Sequence, residues 1–209
     1  MKIVVFGQKD SLHELLSNQP GEMAIVIPVE KAEEFLLHPD ADSYFDLAFE
    51  NTEPRRQLLN KLLPKPVFIN SVIQTLSETN NSFIRINGWP TFLKRTIVEA
   101  SANETIRGEA QQIVSSLNKT IDWLPDIAGF ISARVISMIV NEAYFALEEN
   151  VSTKAEINIA MKLGTNYPYG PFEWGEKIGL KNIYELLAAL SKTDLRYKPA
   201  ALLIKEATL

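Results

Sequence analysis

The sequence predicts an α/β domain with a mostly parallel sheet, followed by an all-α helical domain. Short apolar runs of strand length alternate with helical segments over the first hundred residues, as expected for βα units. After about residue 100 we expect no further strands, and helix caps and helical periodicity take over. We place the boundary near Asp122-Trp123-Leu124-Pro125, which gives domains 1–124 and 125–209.

In the first domain, apolar runs bounded by glycine or proline predict the strands. The predicted strands are residues 2–6, 23–27, 44–49, 66–69 and 83–86. Gly7 closes the first strand and Pro28 closes the second. The helical segments between them are residues 11–16, 30–37 and 55–63, with a helical turn at 72–76.

Two capping boxes and one long apolar segment define the helices of the second half. The pair Ser101 and Glu104 predicts a helix to about residue 117, and the pair Thr153 and Glu156 predicts another that Gly164 stops. A helix of about 20 residues, roughly 128–149, is apolar around most of its circumference, which predicts burial on several sides. Further helices are predicted at 174–178, 182–190 and 199–206.

Composition excludes several classes of function. The 209 residues carry 21 Lys and Arg against 26 Asp and Glu, a net charge of -5, so there is no basic field to attract nucleic acid or an anionic membrane. Without cysteine there are no disulfides or thiolate metal sites, and with two distant histidines we predict no metal site. No segment has the length of a membrane span, and we expect a cytoplasmic protein.

The second half carries a recognisable series of motifs. Gly129-Phe130-Ile131 opens the long helix, Asn141-Glu142-Ala143 lies inside it, and Ala160-Met-Lys-Leu-Gly164 precedes Pro168-Tyr-Gly-Pro-Phe-Glu173. Gly179-Leu180 follows. In order and spacing, residues 129 to about 205 resemble the C-terminal helical domain of the 3-hydroxyacyl-CoA dehydrogenases. A generic helical bundle explains the apolar periodicity but not the Pro168–Glu173 turn.

The resemblance implies a shortened Rossmann-like first domain that would bind NAD if the family function persists. It also implies a homodimer paired through the helical domain, and an acyl-CoA substrate of fatty acid metabolism.

The predicted cofactor turn departs from the family pattern. Dinucleotide sites need a glycine-rich turn after the first strand, so that backbone amides can approach the pyrophosphate. Here only Gly7 remains, and Lys9 and Leu12 stand at the second and third glycine positions. We also expect Glu30 to belong to the first turn of a helix rather than to the strand end, where an acid would hold the ribose. The only cofactor-binding candidates are therefore Gly7 and, by its charge, Lys9, and we expect no bound cofactor.

The catalytic pair of the family is also incomplete. The resemblance implies a histidine and, twelve residues on, a glutamate that orients it. Glu99 matches the glutamate, while Asn87 takes the place of the histidine. Because an amide cannot accept and release a proton near neutral pH, general base catalysis is lost at this position. We predict that Asn87 and Glu99 lie close together and that Asn87 is inactive as a base.

Other polar groups of the family pattern have changed with them. Ala133 stands where the family has a substrate-contacting asparagine, and the turn after Asn70-Ser71 lacks the expected serine. His13 and His38 are poor substitutes for the base, since neither is predicted to face the site.

Glu99 has an ordinary interpretation as well, as the ion-pair partner of Arg85 or Arg95.

Three hypotheses about function remain. The first, which we favour, is a degenerate family member with little or no dehydrogenase activity that binds an acyl-CoA or a partner enzyme. The second is an active 3-hydroxyacyl-CoA dehydrogenase with an atypical site. The third is a structural or regulatory subunit that uses the helical surface. Fold alone does not decide among them.

Overall fold

A seven-stranded sheet organises the first part of the chain. The computed structural model describes residues 1–209, which divide into two compact units, Met1–Phe130 and Ile131–Leu209. The strands are β1 (Lys2–Phe6), β2 (Ile25–Val29), β3 (Ser43–Asp46), β4 (Val67–Asn70), β5 (Ile84–Ile86), β6 (Ile97–Ser101) and β7 (Thr120–Trp123). Their spatial order is β2-β1-β3-β4-β5-β6-β7, and all neighbours are parallel except β5 and β6. The predicted mostly parallel sheet is confirmed.

Hydrophobic clusters cover both faces of the sheet. The helices of this unit are α1 (Lys9–Leu15), α2 (Glu53–Asn60) and α3 (Glu104–Ser116), with a 3-10 helix at Ala32–Leu37. Because side chains alternate along a strand, Ile3 and Val5 of β1 join the cluster that includes α1 and α3 residues. Val4 joins the other cluster, with residues of the 3-10 helix and α2. Burial on both faces explains why β1 reads as a continuous apolar run.

The pair β5 and β6 differs from the rest of the sheet, because one of its faces is polar. Ile84 and Ile86 belong to the same cluster as α3, together with Val98 and Ala100. The alternate residues are Arg85, Asn87, Glu99 and Ser101, all of which are buried. In an antiparallel pair, directly opposed side chains lie on the same face, and Arg85 is opposed to Ser101. These four polar residues therefore share one buried face.

The prediction that strands cease near residue 100 is wrong. Strand β6 ends at Ser101, and β7 follows α3 and pairs with β6 in parallel. The two compact units divide between residues 130 and 131, whereas the sequence boundary was placed at 124/125. β7 has only four residues and alternating exposure, so it lacks the apolar run that marks a central strand.

Several local predictions are also corrected. Ser101 lies in β6 and does not cap α3, whose N-cap is Asn103 without a side-chain hydrogen bond. Residues 72–76 form bends and turns instead of a helical turn, and residues 32–37 form a 3-10 helix. Pro28 lies within β2 rather than closing it. This position is tolerated because β2 is an edge strand, where a missing amide donor breaks no central ladder.

A buried arginine ties the loop after β4 to the end of the first unit. Arg85 is fully buried; its Nε donates to the Ser71 carbonyl at 2.9 Å and its Nη2 to the Val72 carbonyl at 3.2 Å. Its Nη1 pairs with the Asp126 carboxylate. The guanidinium also lies 4.8 Å from the Phe130 ring centroid. Burial lowers the pKa of Arg85, and the hydrogen bond that Arg85 donates to Asp126 opposes that shift.

The second unit consists of helices. They are α4 (Ser132–Glu148), α5 (Lys154–Thr165), α6 (Pro171–Ile178), α7 (Leu180–Ser191) and α8 (Ala201–Ala207), with a 3-10 helix at Leu195–Tyr197. The predicted capping box of Thr153 and Glu156 is present at the start of α5. That helix ends one residue beyond Gly164, and Asn166 adopts a left-handed conformation at φ 55°. None of the helices has the length and apolar character needed to cross a bilayer.

The turn before α6 is fixed by α5. A Cβ at Gly170 would lie 2.6 Å from the Cα of Asn158, so only glycine fits this approach. Asn158 Oδ1 accepts from the Phe172 amide at 2.9 Å, and Glu173 accepts from the Gly170 amide and from Lys162. The specific Pro168–Glu173 sequence therefore encodes a helix junction.

Asp46 is a fully buried carboxylate at the end of β3. Neither of its side-chain oxygens has a hydrogen-bond partner, and Arg55 Nη1 lies 3.6 Å away. Burial raises the pKa of Asp46 to about 7; the positive charge of Arg55 opposes the shift, and Glu50 and Glu33 add to it. The folded protein therefore holds this proton at pH values where an unfolded chain releases it.

We predict that Asp46→Asn flattens the dependence of stability on pH. Between about pH 4 and pH 7 the folded carboxyl keeps a proton that the unfolded carboxyl has lost, so wild-type stability falls as pH rises through this window. From about pH 5 to about pH 7.5 the fall is roughly 2 kcal/mol. Urea unfolding at both pH values measures it. Asp10→Asn, at an exposed position, is the control and should keep the wild-type fall; an equal fall in Asp46→Asn would contradict the assignment.

Candidate active site

Asn87 and Glu99 meet at the junction of β5 and β6. The backbone amide of Asn87 donates to the carbonyl of Glu99 at 3.0 Å, which continues the antiparallel ladder by one pair. The side chains share one face, and Asn87 Nδ2 donates to Glu99 Oε2 at 2.8 Å. Both residues are buried. The structure thus brings together two residues that the sequence separates by twelve positions.

The chemistry of this pair is that of a hydrogen bond without a transferable proton. A neutral amide donates to a carboxylate but does not take up a proton near neutral pH. Neither histidine compensates: His13 is exposed on α1, and His38 follows the 3-10 helix, where its carbonyl accepts from Tyr44 Oη at 2.7 Å. The arrangement can orient a polar group but contains no imidazole to act as base.

Of the two arginines predicted as ion-pair partners of Glu99, the prediction is wrong for Arg85. Arg85 makes its ion pair with Asp126. Arg95 packs on the Phe92 ring at 5.0 Å and donates to the Phe92 carbonyl at 3.4 Å.

Asn70 closes the carboxyl edge of the parallel strands. Its Nδ2 donates to the carbonyls of Leu47 and Gly88 at 3.2 and 3.3 Å, and its Oδ1 accepts from the Gly88 amide at 3.0 Å. The side chain therefore links the segments that follow β3 and β5 across the end of β4. The sequence pattern indicated Asn70 only as part of a serine turn. Its position at a strand end was the signal that could have revealed it.

The Ser71 hydroxyl of the serine turn makes only a local contact. Ser71 is buried, and its Oγ donates to the Gln74 carbonyl at 2.9 Å. Val72 is also buried and carries no polar side chain. Ala133 is fully buried in α4, where it likewise offers no polar group.

The turn between β1 and α1 does not fit a dinucleotide pyrophosphate. A Cβ on Gly7 would lie 2.8 Å from Leu47 Cβ, so this glycine is required by packing within the sheet. Lys9 begins α1 and is exposed, and Leu12 packs against the hydrophobic cluster that α1 shares with α3. Glycines at these two positions would expose backbone to phosphate and let the helix approach the strand. Here the side chains of Lys9 and Leu12 occupy both glycine positions.

The ribose-binding position is corrected by the structure. Strand β2 runs to Val29, so Glu30 directly follows the strand end and is exposed. It precedes the 3-10 helix, which begins at Ala32. Glu30 was predicted to lie in a helix because a proline such as Pro28 usually ends a strand. An acid therefore stands where the dinucleotide pattern has one, although the phosphate turn beside it is altered.

The loop that carries Asn87 is anchored by two charged residues that no sequence motif indicated. Glu14 of α1 accepts the Thr91 amide through both carboxylate oxygens at 2.7 and 2.8 Å. Thr91 has φ of 80°. Buried Lys119 donates to the carbonyls of Leu93 and Arg95 at 2.6 and 2.9 Å. Burial lowers the pKa of Lys119 to about 8, which Glu14 opposes.

The chain is similar in sequence to known proteins. Residues 129–207 match the family model described as 3-hydroxyacyl-CoA dehydrogenase, C-terminal domain. The 3-hydroxyadipyl-CoA dehydrogenase of Escherichia coli (strain K12) is 37% identical over 117 residues, covering 54% of this chain and 25% of that protein. The 3-hydroxybutyryl-CoA dehydrogenase of Bradyrhizobium diazoefficiens is 27% identical over 197 residues, covering 86% and 66%. The chain thus spans a quarter of the length of the first of these curated relatives and about two thirds of the second.

Solved structures show the same fold. The (S)-3-hydroxybutyryl-CoA dehydrogenase of Ralstonia eutropha superposes with a TM-score of 0.76 at 16% identity, covering 99% of this chain and 93% of that one. The 3-hydroxybutyryl-CoA dehydrogenase of Escherichia coli K12 gives a TM-score of 0.74 at 16% identity, covering 98% and 56%. These neighbours confirm a Rossmann-like unit followed by a helical unit.

We predict that Asn87→Asp makes stability strongly dependent on pH. A second carboxyl at hydrogen-bond distance from Glu99 in a buried site must share a proton with it, which raises one pKa of the pair. At about pH 5 the shared proton replaces the amide hydrogen bond, while at about pH 8 its loss should cost roughly 2 kcal/mol. Denaturant unfolding at both pH values tests this, with the exposed Asn81→Asp as control. An Asn87→Asp protein as stable at the higher pH as at the lower would contradict a close buried pair.

Proposed function

We propose that this chain, which belongs to the 3-hydroxyacyl-CoA dehydrogenase family, is a catalytically impaired homologue that keeps the fold without the proton-transfer group. The observation that carries the proposal is the 2.8 Å hydrogen bond from Asn87 Nδ2 to Glu99 Oε2. Glu99 orients an amide there, so no base stands over a substrate hydroxyl. Loss of a general base typically costs about 10² to 10⁴ in rate.

Weak or absent NAD binding is the second part of the proposal. The family's reaction transfers a hydride from the substrate to NAD, so a bound dinucleotide would supply the hydride acceptor. Lys9 and Leu12 fill the turn where its pyrophosphate would approach the backbone. A cofactor held only through Glu30 and the charge of Lys9 would lack the close amide contacts that anchor phosphate at a helix start.

A homologue of this kind would act by binding. The ligands we propose are an acyl-CoA, bound without turnover, or a partner enzyme. The buried Asn87–Glu99 pair supports the first, because it still presents an oriented polar group at the position where the family places its substrate hydroxyl.

An active dehydrogenase with an atypical site is the competing function, favoured by the positions of two acids. Glu30 directly follows β2, as the ribose-binding acid would, and Glu99 is retained. Robust activity would require a base other than Asn87.

We predict negligible NAD-dependent oxidation of 3-hydroxybutyryl-CoA by the wild type and no saturable change in NADH fluorescence on titration. Asn87→His alone should recover little, because the turn still excludes the pyrophosphate. Adding Lys9→Gly and Leu12→Gly to Asn87→His should improve NADH binding and turnover together, if the variant keeps the wild-type circular dichroism spectrum.

The same assays decide against the proposal if the wild type turns over robustly and Glu99→Gln abolishes that turnover. Saturable NADH binding by the wild type, without turnover, would overturn the cofactor part and leave the missing base as the cause. Titration of the wild type with butyryl-CoA by calorimetry tests acyl-CoA binding independently of chemistry.

A second copy of this chain is the partner we propose for the helical unit. Ile131 directly precedes α4, and Val135 lies in α4 one turn after Ile131. Both side chains are about half exposed. In α5, which has no buried residue, Ile159 and Leu163 have the same spacing, and Leu163 is 83% exposed. Residues four apart share a helix face, so each helix presents an apolar strip that association would remove from water.

We therefore predict a homodimer by size-exclusion chromatography with light scattering. The double variant Val135→Lys with Leu163→Lys should shift the protein to monomer, because each lysine would place a charge in a desolvated contact. Leu195→Lys, at an equally exposed position of the same unit, is the matched control and should stay dimeric. A wild-type monomer at micromolar concentration, or a dimer that survives the double substitution, would contradict this interface.

A further inference from the structure

A cavity of about 360 Å³ opens beside the end of β6, within the first unit. Its apolar wall is formed by Leu76, Leu124 and Pro125. Its polar lining includes Ser101 and Arg107. Ser101 lies two residues further along β6 than Glu99, on the same face of the strand. Neither Ser101 nor Arg107 has a role in the function proposed above.

The guanidinium of Arg107 is fixed in position, but its terminal nitrogens are not used by the protein. Its Nε donates to the Ala102 carbonyl at 3.1 Å, and the group lies 5.1 Å from the Trp123 ring centroid. Its two terminal nitrogens make no hydrogen bond or ion pair in the structure. A planar guanidinium fixed through Nε and an aromatic ring offers two parallel donors, the geometry that binds an oxyanion in bidentate fashion.

Ser101 supplies an independent polar group. The residue is 2% exposed, yet its hydroxyl makes no hydrogen bond to the protein. Its opposite residue on β5 is Arg85, whose guanidinium holds Asp126, a further lining residue. The Ser101 side chain therefore points to the face on which the cavity lies. Because Ser101 lines the cavity and its hydroxyl has no protein partner, that hydroxyl is available to a ligand as donor or acceptor.

The negative charge nearest the cavity is already compensated. Asp126 pairs with buried Arg85 and accepts the Leu76 amide at 2.9 and 3.1 Å. Glu104, in the first turn of α3, is exposed to solvent, which screens its charge. The N-cap of that helix, Asn103, makes no side-chain cap, so the first-turn amides add positive potential beside Arg107.

We propose that this cavity is a binding site for a small oxyanion ligand, held by Arg107 and Ser101, with a short apolar group against Leu76 and Pro125. The shared chemistry is two acceptor oxygens on one centre, which a carboxylate or a phosphate provides. A volume of about 360 Å³ lies at the small end of the range for ligand pockets.

Isothermal titration calorimetry of the full chain with sodium butyrate and with inorganic phosphate tests the site, with sodium chloride at equal ionic strength as blank. We expect saturable binding of at least one probe, and the probe that binds more tightly identifies the oxyanion. Arg107→Gln should weaken binding more than tenfold and Ser101→Ala about fivefold, in line with a charge-assisted and a neutral hydrogen bond. Lys181→Ala, which removes an exposed charge from the other unit, should bind as the wild type does.

Absence of saturable binding of either probe at tens of millimolar overturns the proposal. Binding that Arg107→Gln and Ser101→Ala leave unchanged overturns it equally. Because Arg107 also packs on Trp123, each variant is first checked by circular dichroism. If Arg107→Gln is misfolded, Ser101→Ala decides, since it removes only one oxygen atom.

Discussion

The buried guanidinium of Arg85 is the interaction on which the architecture around the candidate site depends. It satisfies the carbonyls of Ser71 and Val72, pairs with Asp126 and packs on Phe130. One side chain thus fixes the loop after β4 and the segment that leaves the sheet. Removing one partner of a buried pair typically costs about 3–5 kcal/mol, because the other charge is left uncompensated. No apolar residue could make these contacts to backbone oxygen atoms.

Arg85 also explains why the sheet is polar where β5 meets β6. A strand that carries a buried arginine gives up the apolar pattern on that face, and its neighbours on the face are Asn87, Glu99 and Ser101. The face thus provides two polar features, the Asn87–Glu99 hydrogen bond and the hydroxyl that opens on the cavity. The other face of the same strands keeps Ile84, Ile86 and Val98 in the core, so fold stability and site chemistry lie on opposite sides of one pair of strands.

Much of this could be predicted from the sequence, and the remainder depended on contacts distant along the chain. A short apolar run closed by Gly7 predicted β1, and the spacing from Thr153 to Glu156 predicted the cap of α5. The twelve-residue spacing predicted the pairing of Asn87 with Glu99 because a family pattern supplied the register. No sequence motif indicates that the chain reverses direction before β6. Ser101 was therefore interpreted as a helix cap, although it is the last residue of that strand. The end of β2 was predicted too early because of Pro28. Proline is tolerated inside this strand only because β2 lies at the edge of the sheet. Asn70, Glu14 and Lys119 act through hydrogen bonds to backbone far along the chain, which no local spacing records.

Pro28 also affects how this protein meets other copies of itself in a crowded solution. An open sheet exposes the unpaired amides and carbonyls of its outermost strand, and such a rim can template the addition of a foreign strand. β2 forms that rim, and proline at its fourth position removes a donor there. Growth of the sheet into fibrils is thereby discouraged on this side.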